Sequence, residues 1–130
     1  MSDQPTHVVI FSYPNPDIMS FAVNHEICAV YRKGFHRPLR EDGQSWNEVG
    51  EHAQHLLATL FDVDGVLEVK LTPYEVTVTK GSAFRWDAMR TYHPSSITRS
   101  IKDIVGHALV ELFGQGISFE EQGPRVYAHK

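Results

Sequence analysis

Two aspartates, Asp62 and Asp64, stand one residue apart in the run Phe61-Asp62-Val63-Asp64-Gly65-Val66-Leu67. An Asp-x-Asp-Gly arrangement suits phosphoryl transfer: the first carboxylate attacks phosphorus, the second handles the leaving-group proton, and magnesium neutralises the developing charge. That chemistry needs the motif at the end of a buried strand in a doubly wound sheet, whereas the residues before Asp62 carry a helical apolar face. Thr79 and Lys102 are available as further partners, but no strand ending in an acidic pair follows Gly65 to complete a magnesium site. The expectation is two solvated aspartates on a helix-to-strand turn, with no catalytic residue and no enzymatic activity assigned.

His52 and His55, three apart and beside Glu48 and Glu51, are spaced to share one ion on a helix. With no further ligand fixed by the sequence, they are expected on a solvated helix face, and no metal ligand or cofactor is assigned. Arg32, Lys33, His36, Arg37 and Arg40 form the one dense basic cluster, interleaved with Tyr31 and Phe35. Gly34 and Pro38 exclude one continuous basic helix there. A solvated loop is the plain reading of this cluster, and these five are the candidate partner-binding residues; an acidic protein surface is favoured over nucleic acid. Cys28, next to Ala29 and Val30, reads as a small buried apolar group, since a reactive thiol needs an electropositive, partly exposed setting. Trp46 and Trp86 read as core or core-edge residues. No nucleophile elbow, P-loop, zincin or dinucleotide motif occurs.

The elements that hold these residues must fit into 130 residues, of which 42% are apolar and 22% charged. That is one domain with a real core. A single cysteine excludes an internal disulfide and any internal Cys-x-x-Cys motif, so no oxidising compartment is needed. The N-terminal Met-Ser-Asp-Gln-Pro lacks the basic and apolar regions of a secretory signal, and no run approaches the roughly 20 apolar residues that span a bilayer. A soluble, cytoplasmic protein is expected. The net charge of −4 argues against a general nucleic-acid binder.

His7 to Phe11 reads as a buried strand ended by the proline-rich Ser12-Tyr13-Pro14-Asn15-Pro16. Ile18 to Val23 and Ile27 to Tyr31 read as two more strands, joined through Asn24, His25 and Glu26. Arg32 to Ser45 reads as a loop punctuated by Gly34, Pro38 and Gly43. Val49, Ala53, Leu56, Leu57 and Leu60 fall at helical spacing over Asn47 to Phe61, with Ser45 or Asn47 as cap. Leu67, Val69 and Leu71 alternate with polar residues, as do Val76 and Val78, giving a hairpin turned at Thr72-Pro73-Tyr74-Glu75. A last helix begins near Pro94 and Ser95, carries Ile97, Ile101, Ile104, Val105, Ala108, Leu109, Leu112 and Phe113 inward, and stops at Gly114 and Gly116. The predicted fold is α+β and two-layered, in the order β-β-β-α-β-β-α, with one mixed or antiparallel sheet covered on one face by two helices. Residues 1–116 form the domain and residues 117–130 a polar, mobile tail.

Three separated blocks then carry a family resemblance. The first is Tyr13-Pro14-Asn15-Pro16 followed by Ile18 and Phe21. The second is Leu57-Ala58, then Leu60, Phe61, Val63, Gly65 and Val66. The third is Val69, Pro73 and Val76-Thr77-Val78-Thr79-Lys80, with Trp86 after it. In order and spacing this resembles the N-terminal domain of Nfu/NifU-type iron-sulfur scaffold proteins, over roughly Phe11 to Gly116. Ala22-Val23 stands where that family often has Pro-Gly, His55-Leu56 replaces the usual Ser-Pro, and the loop from Arg32 to Trp46 is longer.

In longer family members this domain precedes a separate one whose Cys-x-x-Cys pair holds a cluster between subunits. Thiolates are the ligands such clusters require, and Cys28 alone does not supply the set. The resemblance therefore implies an accessory or docking role, with partners among cluster-assembly or cluster-receiving proteins. The alternatives are a magnesium-dependent phosphatase of the haloacid-dehalogenase type, to which the Asp62 run is locally similar, and an interaction module unrelated to clusters.

Overall fold

The computed structural model describes residues 6–30, 32–86, 101–113 and 117–122. The β-branched run near the N-terminus forms β1 (Thr6–Ser12), which turns at Pro14-Asn15-Pro16 into β2 (Ile18–Val23). Then follow β3 (Lys33–His36), α1 (Gly43–Phe61), β4 (Val66–Thr72), β5 (Glu75–Lys80), α2 (Ile101–Phe113) and β6 (Ile117–Gln122). The strands make one six-stranded sheet in the order β3-β4-β5-β2-β1-β6. Every pairing is antiparallel except β1 with β6, which is parallel.

Period-two alternation sends Val8, Ile10, Phe21, Val23, Val69, Leu71, Val76 and Val78 to one face, where all are buried. Leu56, Leu57 and Leu60 of α1 and Ile101, Val105 and Leu109 of α2 close over them in a single core. The helices pack on each other, α1 lies against β4, and α2 lies against β1 and β6. The two-layer α+β architecture predicted from the sequence is the one observed.

Four expectations need correction. Ile27 to Tyr31 is not a strand: Ile27 and Cys28 are buried, but Ile27 donates its N–H to Pro73 O at 2.7 Å, holding this segment across the end of the β4–β5 hairpin. Tyr31 lies outside the described residues. The third strand is Lys33–His36, inside the stretch expected to be a loop, because Phe35 alone reaches the core and pairing with β4 supplies the rest.

The first helix begins at Gly43, ahead of Asn47. Asp42 is its N-cap and makes no side-chain capping bond, so Ser45 and Asn47 lie within the helix. A break at Gly50 (φ 87°, ψ 171°) interrupts α1, a conformation open to glycine because it has no Cβ. The side chain of Gln54 donates to Trp46 O at 2.8 Å across this break and ties its two sides together.

Finally, residues 117–122 are no mobile tail. Ile117–Gln122 forms β6, in register with Thr6 to Phe11. The expected start of the last helix at Pro94 and Ser95, its position Ile97, and the stop at Gly114 and Gly116 lie outside the described residues.

Candidate functional site

Some residues from each of the three blocks, Asn15, Pro16, Gly65, Lys80 and Trp86, meet at one end of the sheet. Asn15 Oδ1 accepts the N–H of Asp17 at 2.9 Å and Asn15 O accepts that of Ile18 at 3.2 Å, which shapes the Pro-Asn-Pro turn. Lys80 follows Val76 and Val78 at period two onto the buried face and is only 7% exposed. Its ammonium is met there by Asp17 Oδ1 at 2.7 Å, while Lys80 N donates to Asp17 O at 2.9 Å. Trp86 covers this pair with its ring centroid 5.7 Å from Lys80 Nζ, and its indole N–H donates to Pro16 O at 2.8 Å. The chain then passes to α2, whose Ile101 N donates to Trp86 O at 3.1 Å.

Gly65 completes the corner. At φ +102° it accepts the N–H of Gly81 at 2.8 Å and lies under the Phe84 ring, so that a Cβ there would sit 2.6 Å from Phe84 Cγ. The motif glycine is required twice, by backbone angle and by space. Asp17 and Phe84 belong to this corner although the sequence reading passed over them. The usable signal was the lysine in phase with Val76 and Val78, since a cation on a buried face calls for a carboxylate.

The remaining motif residues serve the core and the sheet. Phe21, Leu57, Leu60, Phe61, Val66 and Val78 are buried, and Ala58 is exposed. Pro73 opens the two-residue β4–β5 turn. Thr77 faces the side of the sheet opposite the helices in a chain of hydroxyls, 2.8 Å from Ser20 Oγ, which in turn lies 2.7 Å from Tyr13 OH. Thr79 pairs with Ile18 across β5 and β2.

The basic cluster is divided in space. Arg37 sends its guanidinium inward, donating from Nε to Val66 O at 2.8 Å and from Nη2 to Phe61 O and Val63 O, each at 2.9 Å. It also stands 5.8 Å over the Phe61 ring. This residue fastens the end of α1 to the start of β4. Lys33 reaches Glu48 at 3.0 Å, tying β3 to α1. With Gln44 donating to the same carboxylate at 2.8 Å, the bond from Lys33 first and that from Gln44 second hold Glu48 below the usual carboxylate pKa. Arg32, His36 and Arg40 are exposed. His36 and Arg40 border a cleft beside Trp46, whereas Arg32 borders a second one on the sheet face opposite the helices, with Tyr13, Lys70 and Thr77.

The other chemical candidates are placed separately. Asp62 is the C-cap of α1 and Asp64 lies in the turn before β4, ahead of a strand where phosphoryl chemistry would need its end. His52 packs edge-on to Phe113 at 5.4 Å, and His55 Nε2 lies 2.9 Å from Glu111 on α2, so the two do not converge. Among the described residues no group of three histidine, cysteine or acidic side chains is placed to hold a metal. The Cys28 thiol is directed at Val30 O and Thr72 O, at 3.6 and 3.5 Å, and burial pushes its pKa up. Among the described residues no helix is long and apolar enough to cross a membrane.

Fold and corner together define a two-layer α+β domain in which widely separated motif residues fasten the turns at one end of a mixed sheet. The chain belongs to the Nfu/NifU N-terminal family: the family model described as scaffold protein Nfu/NifU N terminal matches residues 8–105. That family is associated with iron-sulfur cluster scaffold proteins. Comparison with curated proteins and with solved structures gives no match.

Proposed function

We propose that these 130 residues act as a non-enzymatic protein-binding domain in iron-sulfur cluster assembly, touching cluster-assembly or cluster-receiving proteins without carrying a cluster themselves. The observation that carries this reading is the family match across residues 8–105 in a sequence with one cysteine, whose thiol is buried against backbone carbonyls. Iron-sulfur clusters need several thiolate ligands. Function then rests on surface recognition, and the exposed side chains of Arg32, His36 and Arg40 are those offered to an acidic partner. Lys33 and Arg37 contribute by shaping that region through Glu48 and the α1–β4 carbonyls. The cytoplasm is the compartment that this reading assigns.

The test is affinity capture from native extract with the 130-residue protein as bait. Enrichment of cluster-assembly or cluster-receiving proteins is the expected result. An extract that yields none of them, at bait levels sufficient to recover weak partners, would remove the reading and favour an interaction module of another pathway.

A further inference from the structure

We propose that β6 is a detachable strap: it occupies the edge of β1 at rest, and an extended segment of a partner protein with the same side-chain pattern takes its place. The proposal rests on the protein-binding reading and deepens it, since it names the surface and the chemistry of the segment that the surface takes.

The first argument is how little of β6 is committed to the core. Ser118, Glu120, Glu121 and Gln122 are exposed, and Phe119 is only partly buried against the core. β1 beside it is the opposite, with Thr6 and Val8 fully enclosed and Ile10 buried. The family match over residues 8–105 ends before β6 begins, so the strand is no part of what identifies the domain. Its pairing with β1 is parallel, unlike the other pairings described, and a parallel ladder holds slightly less well per residue than an antiparallel one. Thr6 stands opposite Ile117 in that ladder, and its enclosed hydroxyl finds no hydrogen-bond partner among the described residues. That cost falls when the edge opens to water.

The second argument is that the present occupant shows what can replace it. Six residue pairs align the strands, from Thr6 with Ile117 to Phe11 with Gln122, and Phe119 stands opposite Val8. On either side of Phe119, one imidazole makes the contacts: His7 Nδ1 lies 2.7 Å from Ser118 Oγ, and His7 Nε2 lies 3.2 Å from Glu120 Oε1. The side chains of His7 and Glu120 are 43% and 51% exposed, so their contact adds little hold and is readily exchanged for a like one. The edge therefore takes a strand running parallel to β1, with a large apolar residue between a hydroxyl and a carboxylate. Strand addition works in this way, main-chain bonds along the edge giving affinity and alternate side chains giving specificity.

The experiment uses the full 130-residue chain and its Phe119→Glu variant, which removes the aromatic anchor of β6 and leaves β1 intact. The probe is a fluorescein-labelled peptide of residues 116–124, with a scrambled peptide as control. Fluorescence anisotropy is expected to show saturable binding of the probe to the variant and binding on the order of tenfold weaker, or more, to the wild type. A site open for only a fraction of the time has its affinity reduced by that fraction. Adding His7→Ala to the variant is expected to weaken binding severalfold, and the scrambled peptide to bind neither protein. Hydrogen exchange on the wild type at neutral pH gives an independent reading: the β6 amides bonded to β1 are expected to exchange about tenfold faster than those of β5, or more, through local opening.

A folded variant that does not take the probe would overturn the proposal, as would a wild type that takes it equally well. So would β6 amides that exchange as slowly as those of β5, because the strand would then open only with the whole domain. A wild-type dimer with β6 exchanged between copies would overturn it too, the strand then serving self-assembly. Capture of cluster-assembly proteins by wild type and variant alike, with no probe bound by either, would sink the strap and leave the functional reading standing. Probe binding as expected, with no cluster-assembly protein captured, would uphold the strap and sink the assignment to that pathway.

Discussion

Arg37 is the side chain whose role changed most between sequence and structure. Counted by type it belongs to a basic surface cluster, yet its guanidinium serves the carbonyls of Phe61, Val63 and Val66. Hydrogen bonds from a charged donor are worth about 1.5–3 kcal/mol each when broken in a buried setting, less where water replaces them. Arg37→Ala is accordingly expected to cost about 2–3 kcal/mol in urea unfolding. Arg37→Lys should recover little of it, because an ammonium lacks the planar fork that reaches several carbonyls at once. Lys80 is the complementary case, a cation on the core face held by Asp17. Asp17→Ala leaves that ammonium nearly enclosed without a counter-ion and should destabilise by about 3–5 kcal/mol, whereas Lys80→Met, similar in volume and apolar beneath Trp86, should cost clearly less. Equal losses for the two, measured by denaturant titration, would show that packing at the corner matters and the ion pair does not. Lys80 could be placed from its phase with Val76 and Val78. Nothing local to residue 37 distinguishes it from Arg32 or Arg40, since its acceptors lie 24 to 29 positions away in the chain.

Short-range pattern located the strands and helices that carry strong periodicity and missed those that do not. β1, β2, β4 and β5 announce themselves by β-branched runs or alternation, and the Pro73-Tyr74 turn by its proline. β3 has one buried apolar residue among four, so its sequence holds almost no strand signal, and it exists because β4 offers an edge. β6 alternates Ile117 and Phe119 with Ser118 and Glu120, but its acidic residues and flanking glycine made it read as tail. Both outer strands are fastened by exposed carboxylates, which gives a test by acidification. Lys33, then Gln44, hold Glu48 below its usual pKa of 4.5, and Gln122, then His7, do the same for Glu120. A carboxyl whose folded pKa is depressed contributes stability that is present above the unfolded value and lost as pH falls through the folded one. The ties of β3 to α1 and of β6 to β1 should therefore persist at neutral pH and loosen below about pH 4.5. Amide exchange in Lys33–His36 and Ile117–Gln122 is expected to accelerate there before exchange in β5 does, and a uniform acceleration across the sheet would contradict this.

For the polypeptide as one body, ligand chemistry sets the limit on function. With Cys28 buried and its thiol held against Val30 and Thr72 carbonyls, protein purified anaerobically should be colourless and free of stoichiometric iron and sulfide, and Cys28→Ser should change neither measurement. A brown preparation with matching iron content would refute the protein-binding role as proposed. Composition, one thiol, strong periodicity in four strands and two helices, and three spaced motif blocks were enough to fix the α+β class and the family, because these follow from residue type and near-neighbour spacing. The order of the strands in the sheet, the parallel closure by β6, the break at Gly50, the burial of Lys80 on Asp17 and the division of the basic cluster depend on contacts between residues far apart in the chain. Such contacts are chosen by which faces and edges remain to be satisfied once the core has formed, and a linear pattern does not record that choice.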